Sequence, residues 1–136
     1  MSDSRPSAGL LDTTVFIAHA SGRPLDRAAF PELQYVSAIT AAELEAGVHR
    51  ASDERVRSMR MQTWARVVEL DLLDADLGAA HEWAVLRSRL LVAGRRADIN
   101  DLWIAAIAKA NDLCVVTQDD GFDVIAEHGG PEVIKV

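Results

Sequence analysis

Apolar positions along the chain fall into two kinds of segment. Runs too short for helices occur at Gly9-Leu10-Leu11, Tyr35 to Ile39, Val67 to Leu73, Leu113 to Val116 and Val133 to Val136. Longer amphipathic stretches lie between them, near 13–20, 41–50, 54–66, 75–93, 101–111 and 121–127. Strands alternating with helices predict an α/β domain with a mostly parallel sheet of about five strands, covered by helices on both faces. The stretch Leu102 to Ala108 is apolar all round, so its helix is expected to be the most buried. Gly94 follows Val92-Ala93 and suits the stop of the long fourth helix. No repeat or linker divides the chain; residues 1–8 read as a loose tail and 9–136 as one domain.

Composition narrows the class. A chain of 136 residues, 49% hydrophobic and 26% charged, supports one globular core and is neither disordered nor fibrous. The one cysteine, Cys114, lies in an apolar run and reads as a small buried hydrophobe, as expected in a reducing compartment. The polar start Met1-Ser2-Asp3-Ser4-Arg5-Pro6-Ser7 lacks a signal core, and no stretch approaches the ~20 apolar residues of a membrane span, so a cytoplasmic protein is expected. A net charge of −7 excludes nucleic-acid binding through an overall basic surface. Local basic stretches remain: Arg50, Arg55, Arg57, Arg60 and Arg66, and the acid-free group Arg87, Arg89, Arg95 and Arg96, a candidate phosphate contact or simply a solvated helix face. The tryptophans Trp64, Trp83 and Trp103 are expected in the core or at an interface.

The candidate chemistry lies in carboxylates at element junctions. Asp12 directly follows the first strand, where it could cap the next helix or line the crevice beyond a parallel sheet. Glu43 closes Thr40-Ala41-Ala42-Glu43, a spacing that also makes a capping box with Thr40 as N-cap. Asp101 opens the apolar helix behind Asn100, the expected N-cap, and Asp98 precedes both. An ionised carboxylate there is costly unless paired or metal-bound. Asp119 lies just past the fourth strand, with Asp120 and Asp123 close behind. Four acids gathered at one sheet edge repel one another, and an oxygen-preferring Mg²⁺ or Mn²⁺ would relieve that repulsion. The four histidines, His19, His49, His81 and His128, show no shared metal spacing.

Leu11-Asp12-Thr13-Thr14-Val15-Phe16-Ile17, Thr40-Ala41-Ala42-Glu43-Leu44 with Gly47, Asn100-Asp101-Leu102-Trp103-Ile104-Ala105-Ala106 and Val116-Thr117-Gln118-Asp119-Asp120 resemble the successive motifs of PIN-domain ribonucleases. Their order, and the chain's size, are similar to VapC-type toxins of bacterial toxin–antitoxin pairs. The resemblance spans residues 9 to 136. It implies a three-layer PIN-like fold and a metal-dependent endoribonuclease that cuts tRNA or rRNA. The catalytic acids would be Asp12, Glu43, Asp101 and Asp119. Asp12, Asp101 and Asp119 would bind Mg²⁺ or Mn²⁺, with Glu43, Asp120, Asp98 and Asp123 as further candidates. Thr13, Thr117 and Asn100 would support them, and Arg87, Arg89, Arg95 and Arg96 would hold substrate. A homodimer and a VapB-type antitoxin are the implied partners. Gly121 stands where many members carry an acid, which leaves the fourth ligand open among Asp119, Asp120 and Asp123.

Competing readings are a catalytically silent interaction module and a receiver-like phospho-acceptor domain. The first would be expected to lose site acids, and none is missing; the second wants a lysine after a late strand, whereas Lys109 lies mid-helix and Lys135 is terminal. A phosphatase using Asp12 as nucleophile would want a second Asp where Thr14 stands.

Overall fold

The computed structural model describes residues 5–136; residues 1–4 of the expected tail lie outside them. The elements run β1 (Ala8–Leu11), α1 (Thr13–Ala20), a 3₁₀ turn (Arg27–Ala29), β2 (Leu33–Ser37), α2 (Ala38–Arg50), α3 (Glu54–Val67), β3 (Leu72–Leu73), α4 (Leu77–Val92), α5 (Ile99–Ala110), β4 (Cys114–Thr117), α6 (Asp123–Glu127) and β5 (Val133–Lys135). The expected α/β architecture is borne out. The five strands form one sheet in the order β3-β2-β1-β4-β5, every neighbouring pair parallel. Chain preceding β1 is engaged as well: the Arg5 guanidinium donates to the Ala28 carbonyl, and the Ser7 carbonyl accepts from Leu33 N at 2.9 Å.

Alternation along the strands divides the core into layers. Leu10 is in register with Tyr35 on one side and Val115 on the other, and Val115 with Val133. These residues pack with Leu86 and Leu90 of α4, Leu102, Ile104 and Ile107 of α5, and Phe122. Leu11 and Val116 point to the other face, where they meet Val15 of α1. Beside them Val36, Leu44 and Val67 join β2 to α2 and α3. As its composition requires, α5 is the most buried helix: Leu102 and Ile104 to Ala108 are all inaccessible. Trp103, on its one less buried side, stacks on Trp83 of α4 with ring centroids 5.2 Å apart.

The helix boundaries depart from expectation in a consistent way. The expected third strand shrinks to Leu72–Leu73, because Val67 is drawn into the last turn of α3 by its packing on Val36 and Leu44. Ile39 is helical, not extended, since β2 ends at Ser37 and α2 starts at once. Ser37, not Thr40, is the N-cap of α2: its backbone is extended and its hydroxyl accepts from Thr40 N at 3.2 Å. Asn100 likewise does not cap α5. Asp98 does, accepting from Asn100 N at 2.9 Å and Asp101 N at 3.1 Å, which two donors make the better arrangement. The last helix begins at Asp123 rather than 121. The stop at Gly94 is as expected. Its φ is +67°, and it donates to Leu91 O while Arg95 N reaches back to Leu90 O, a Schellman closure of α4. Among the described residues, no helix is long and apolar enough to cross a membrane.

Because Ser37 is wholly buried and holds the first turn of α2, Ser37→Ala is expected to lower stability by about 1 kcal/mol. Urea unfolding measures this; an unchanged midpoint would return the cap to Thr40.

Candidate functional site

In a sheet whose strands all run the same way, every strand delivers its C-terminal end to one edge. The chain proceeds outward from β1 through β2 to β3, then returns to β4 on the other side of β1. The gap between β1 and β4 is therefore the switch point at which open parallel sheets form their crevice. Asp12 leaves β1 there, its N–H still donating to Val116 O at 2.9 Å.

Asp12 is 2% exposed and held by hydroxyls. Its Oδ2 accepts from Thr14 Oγ1 at 2.8 Å, from Thr117 Oγ1 at 2.9 Å and from Thr14 N at 3.4 Å, so it caps α1 as well. Those hydroxyls in turn accept backbone N–H groups from the turn after β4: Gln118 N to Thr14 and Asp119 N to Thr117. The two strand ends are thus tied together through the oxygen of one aspartate, leaving Oδ1 outside the network.

Glu43 lies in the second turn of α2, one turn past the N3 position it was expected to hold, because the cap is Ser37 and N3 is Thr40. The Thr13 hydroxyl donates to its Oε1 at 2.6 Å and lies 3.0 Å from the Thr40 hydroxyl, and Asn100 Nδ2 donates to its Oε2 at 3.5 Å. Thr13 and Asn100 therefore orient one carboxylate while Thr14 and Thr117 orient another.

Asp101 sits at the third position of α5, half-buried. Burial raises its pKa to about 7, with the charges of Asp12, Asp98, Asp119 and Glu43 adding to the effect in that order. Asp119 is exposed in the turn after β4, and Asp101 Oδ2 and Asp119 Oδ2 converge on Gly121, each within 3.0 Å of where a β-carbon on that residue would stand. The neighbouring acids look elsewhere. Lys135 Nζ binds Asp120 Oδ1 at 2.5 Å and Asp123 Oδ2 at 3.1 Å, so Asp120 serves an ion pair instead of capping α6, and Asp98 serves α5 as its cap.

The donor set suits a hard divalent cation: carboxylate oxygens, those of Asp12 and Glu43 oriented by hydroxyls, with the Asp101 carboxyl raised to about 7 by burial and then by the neighbouring acids. Among the described residues no group of three or more His, Cys, Asp or Glu side chains stands close enough together to hold a metal ion as placed. The histidines are engaged elsewhere, His19 with Arg27, His49 with Glu45 and His128 with the Val124 carbonyl, while His81 is exposed on α4.

The arginines of the second basic group divide. Arg95 pairs with Glu127 at 3.7 Å and Arg89 Nη1 approaches the His128 carbonyl, so both lean on the end of α6; Arg96 is exposed and Arg87 partly so. Of the first basic group, not singled out for substrate, two members share a cleft with Glu43. Arg50 and Arg60 line a mainly apolar cleft of about 350 Å³ with Glu43, Ile17, Leu44 and Met59. Other participants that sequence reasoning passed over are Thr14, whose hydroxyl holds Asp12, and Lys135. The pair Thr13-Thr14 directly after Asp12 was the available signal for the first; nothing local marks the second.

A carboxyl whose folded pKa is about 7, against 3.8 ordinarily, binds its proton more tightly when folded. Its contribution to metal-free stability is full below about pH 4 and is lost as pH rises through about 7. In EDTA, Asp101→Asn should therefore melt a few degrees above wild type at pH 8, the gap closing toward pH 4. Thermal melts at both pH values check this, and a variant less stable at pH 8 would contradict it.

The geometry has counterparts. The PIN domain family matches residues 9–128. Ribonuclease VapC5 of Mycobacterium tuberculosis is 45% identical over 131 residues, 96% of this chain and 97% of that protein. Ribonuclease VapC4 of the same organism is 36% identical over 114 residues, 83% of this chain and 87% of that one. Among solved structures, VapBC-5 from Mycobacterium tuberculosis, a member of the VapBC family of toxin–antitoxin systems, superposes with a TM-score of 0.89 at 43% identity, covering 96% of this chain and 100% of the matched one. With the family matching residues 9–128 and these relatives matching over nearly the whole length, the chain belongs to the PIN-domain family, among its VapC ribonucleases.

Proposed function

We propose that this chain is the endoribonuclease toxin of a VapBC pair, a cytoplasmic hydrolase that cuts RNA phosphodiester bonds in tRNA or rRNA. Asp12, Asp101 and Asp119 would hold Mg²⁺ or Mn²⁺, with Glu43 beside them as the fourth catalytic acid. The observation that carries the reading is the gathering of these carboxylates at the switch point of the sheet, where Asp101 and Asp119 converge on Gly121 and the charges of Asp12, Asp119 and Glu43 act on Asp101. A bound divalent ion supplies charge neutralisation for the phosphodiester and a more acidic water. The chain's own contribution is pre-organisation: Thr14 and Thr117 fix Asp12, and Thr13 and Asn100 fix Glu43, before substrate arrives. Asp120 and Asp123 are weaker candidates because both pair with Lys135, and Asp98 because its Oδ1 is taken up in capping α5 through the Asn100 and Asp101 N–H groups.

The partners follow from the same reading. The solved relative VapBC-5 belongs to a toxin–antitoxin system, and a VapB-type antitoxin is the partner proposed here. The apolar cleft beside Glu43 offers such a partner surface next to the acids. A homodimer is proposed as the chain's own assembly. RNA phosphates are assigned to Arg87, Arg89, Arg95 and Arg96, of which Arg89 and Arg95 must swing away from α6 to reach them.

Metal-stripped protein titrated with Mg²⁺ on structured RNA tests the acids. Asp119→Asn is expected to lower the metal-dependent rate at least tenfold, about 1.4 kcal/mol of transition-state stabilisation, while Asp120→Asn stays within about twofold. A crippled Asp120→Asn with an active Asp119→Asn would move the ligand by one residue. Replacing Arg95 and Arg96 together with Ala should raise KM more than it lowers kcat. It should also flatten the salt dependence of binding by about one unit of slope for each phosphate no longer neutralised. An unchanged slope would leave these arginines as a solvated face.

A further inference from the structure

Gln118 stands between Thr117 and Asp119 and is held at three points by three segments of the chain. Its side-chain Nε2 donates to Pro24 O at 2.8 Å and to Val136 O at 2.9 Å. Its own N–H donates to Thr14 Oγ1 at 3.1 Å. A primary amide has two N–H donors in one plane, and both are used here on main-chain oxygens. Because both partners only accept, the amide faces them through its nitrogen and not its oxygen. The two anchors are themselves fixed. Leu25, next to Pro24, and Val136 pack on the cluster of Leu11, Val15 and Val116, and Val136 N–H returns to Thr117 O at 3.0 Å.

What this clamp governs is the direction of two protons. The hydroxyl oxygens of Thr14 and Thr117 lie 3.2 Å apart, and each carries a single proton. Either proton could turn toward the other hydroxyl and away from Asp12 Oδ2. The Gln118 and Asp119 N–H groups point into these oxygens at 3.1 and 3.0 Å and occupy acceptor positions, which leaves both protons for Asp12. A turn that drifted outward would withdraw both N–H groups, let the hydroxyls pair with each other, and carry Asp119 with it.

We propose that Gln118 is a positioning residue, whose side-chain amide pins the turn after β4 so that Asp12 and Asp119 keep the placement in which they bind a divalent cation. It acts through Thr14 and the backbone, and the inference rests on the reading of the acidic cluster as a metal site. Two substitutions separate the amide's donors from its shape. Gln118→Met keeps the length and removes both donors. Gln118→Glu keeps the shape and sets carboxylate oxygens against two main-chain oxygens. It also adds an anion beside Asp119, which by charge alone would favour a cation. Gln34→Met is the comparison: it removes a side-chain bond to Pro31 O at 3.3 Å from the early part of β2.

The experiment is a Mn²⁺ titration of the full chain without RNA, followed by calorimetry. Amide hydrogen exchange and thermal melts in EDTA accompany it, with kcat and KM on structured RNA. In both Gln118 variants the backbone amides of residues 118 and 119 are expected to exchange about tenfold faster or more, at melting temperatures within a few degrees of wild type. Mn²⁺ binding should weaken about fivefold or more, and kcat should fall further than KM rises, in Gln118→Glu as in Gln118→Met. Gln34→Met should stay within about twofold of wild type in Mn²⁺ affinity and kcat. Unchanged exchange and Mn²⁺ affinity in Gln118→Met would overturn the role of Gln118 while leaving the metal site standing. Tighter Mn²⁺ binding by Gln118→Glu would overturn it as well, by making local charge and not placement the controlling factor. Equal losses in Gln34→Met, or a Gln118 variant without cooperative melting, would also overturn it, leaving Gln118 as a contact of the fold at large. Wild type that binds no Mn²⁺ would remove the metal reading and this inference together.

Discussion

The parallel pairing of β1 with both β2 and β4 is the constraint from which the rest follows. It sends all strand ends to one edge and makes the middle of that edge the point where connections diverge. Residues far apart in the chain meet there without any local affinity for one another. Asp12, Thr117 and Asp119 meet because their strands are neighbours, and Asp101 joins them because the buried α5 crosses the sheet before β4. The cost is electrostatic. Apolar packing assembles a set of anions that would not assemble alone, and it both buries Asp101 and surrounds it with like charges, which together hold its carboxyl well above the usual carboxylate range.

Hydroxyls are how the fold tolerates the arrangement. Thr14 and Thr117 donate to Asp12 and both accept backbone N–H groups from the turn after β4, so the network that restrains a carboxylate also fastens two strand ends. Thr13 does the same between α1 and α2 through Glu43 and Thr40. The consecutive threonines after Asp12 face different acids because successive residues at a helix start project in different directions.

Much of this was legible in the sequence, and the failures share a cause. Strand and helix alternation, the buried character of α5 and the Gly94 stop are local patterns of polarity and backbone freedom, and all are present. Helix starts were misread wherever two good caps lay within three residues: Ser37 against Thr40, Asp98 against Asn100. Intrinsic capping preference does not separate such pairs; where the preceding strand or loop ends does, and that is decided by packing. The segment Asp119-Asp120-Gly121-Phe122-Asp123 was ambiguous for a related reason. The residue that draws Asp120 and Asp123 aside is Lys135, on the last strand, and no local pattern could assign it that task. Glu43 was read as part of its own capping box, whereas its strongest partner is Thr13, 30 positions away.

The sheet order also carries a consequence in time. β1 comes first among the five strands in chain order and sits at the centre, but its neighbour β4 ends at Thr117 and the edge strand β5 at Lys135. Pairing of such sequence separation closes late, because the loop entropy must be met before the pairing exists. A chain still emerging from the ribosome can hold Asp12 after β1 and Glu43 in α2, with Thr14 and Thr13 available to them, before Asp101, Thr117 and Asp119 have been added. The acidic cluster comes into being only when the final strands dock, so a nascent chain carries the parts of the site long before it carries the site.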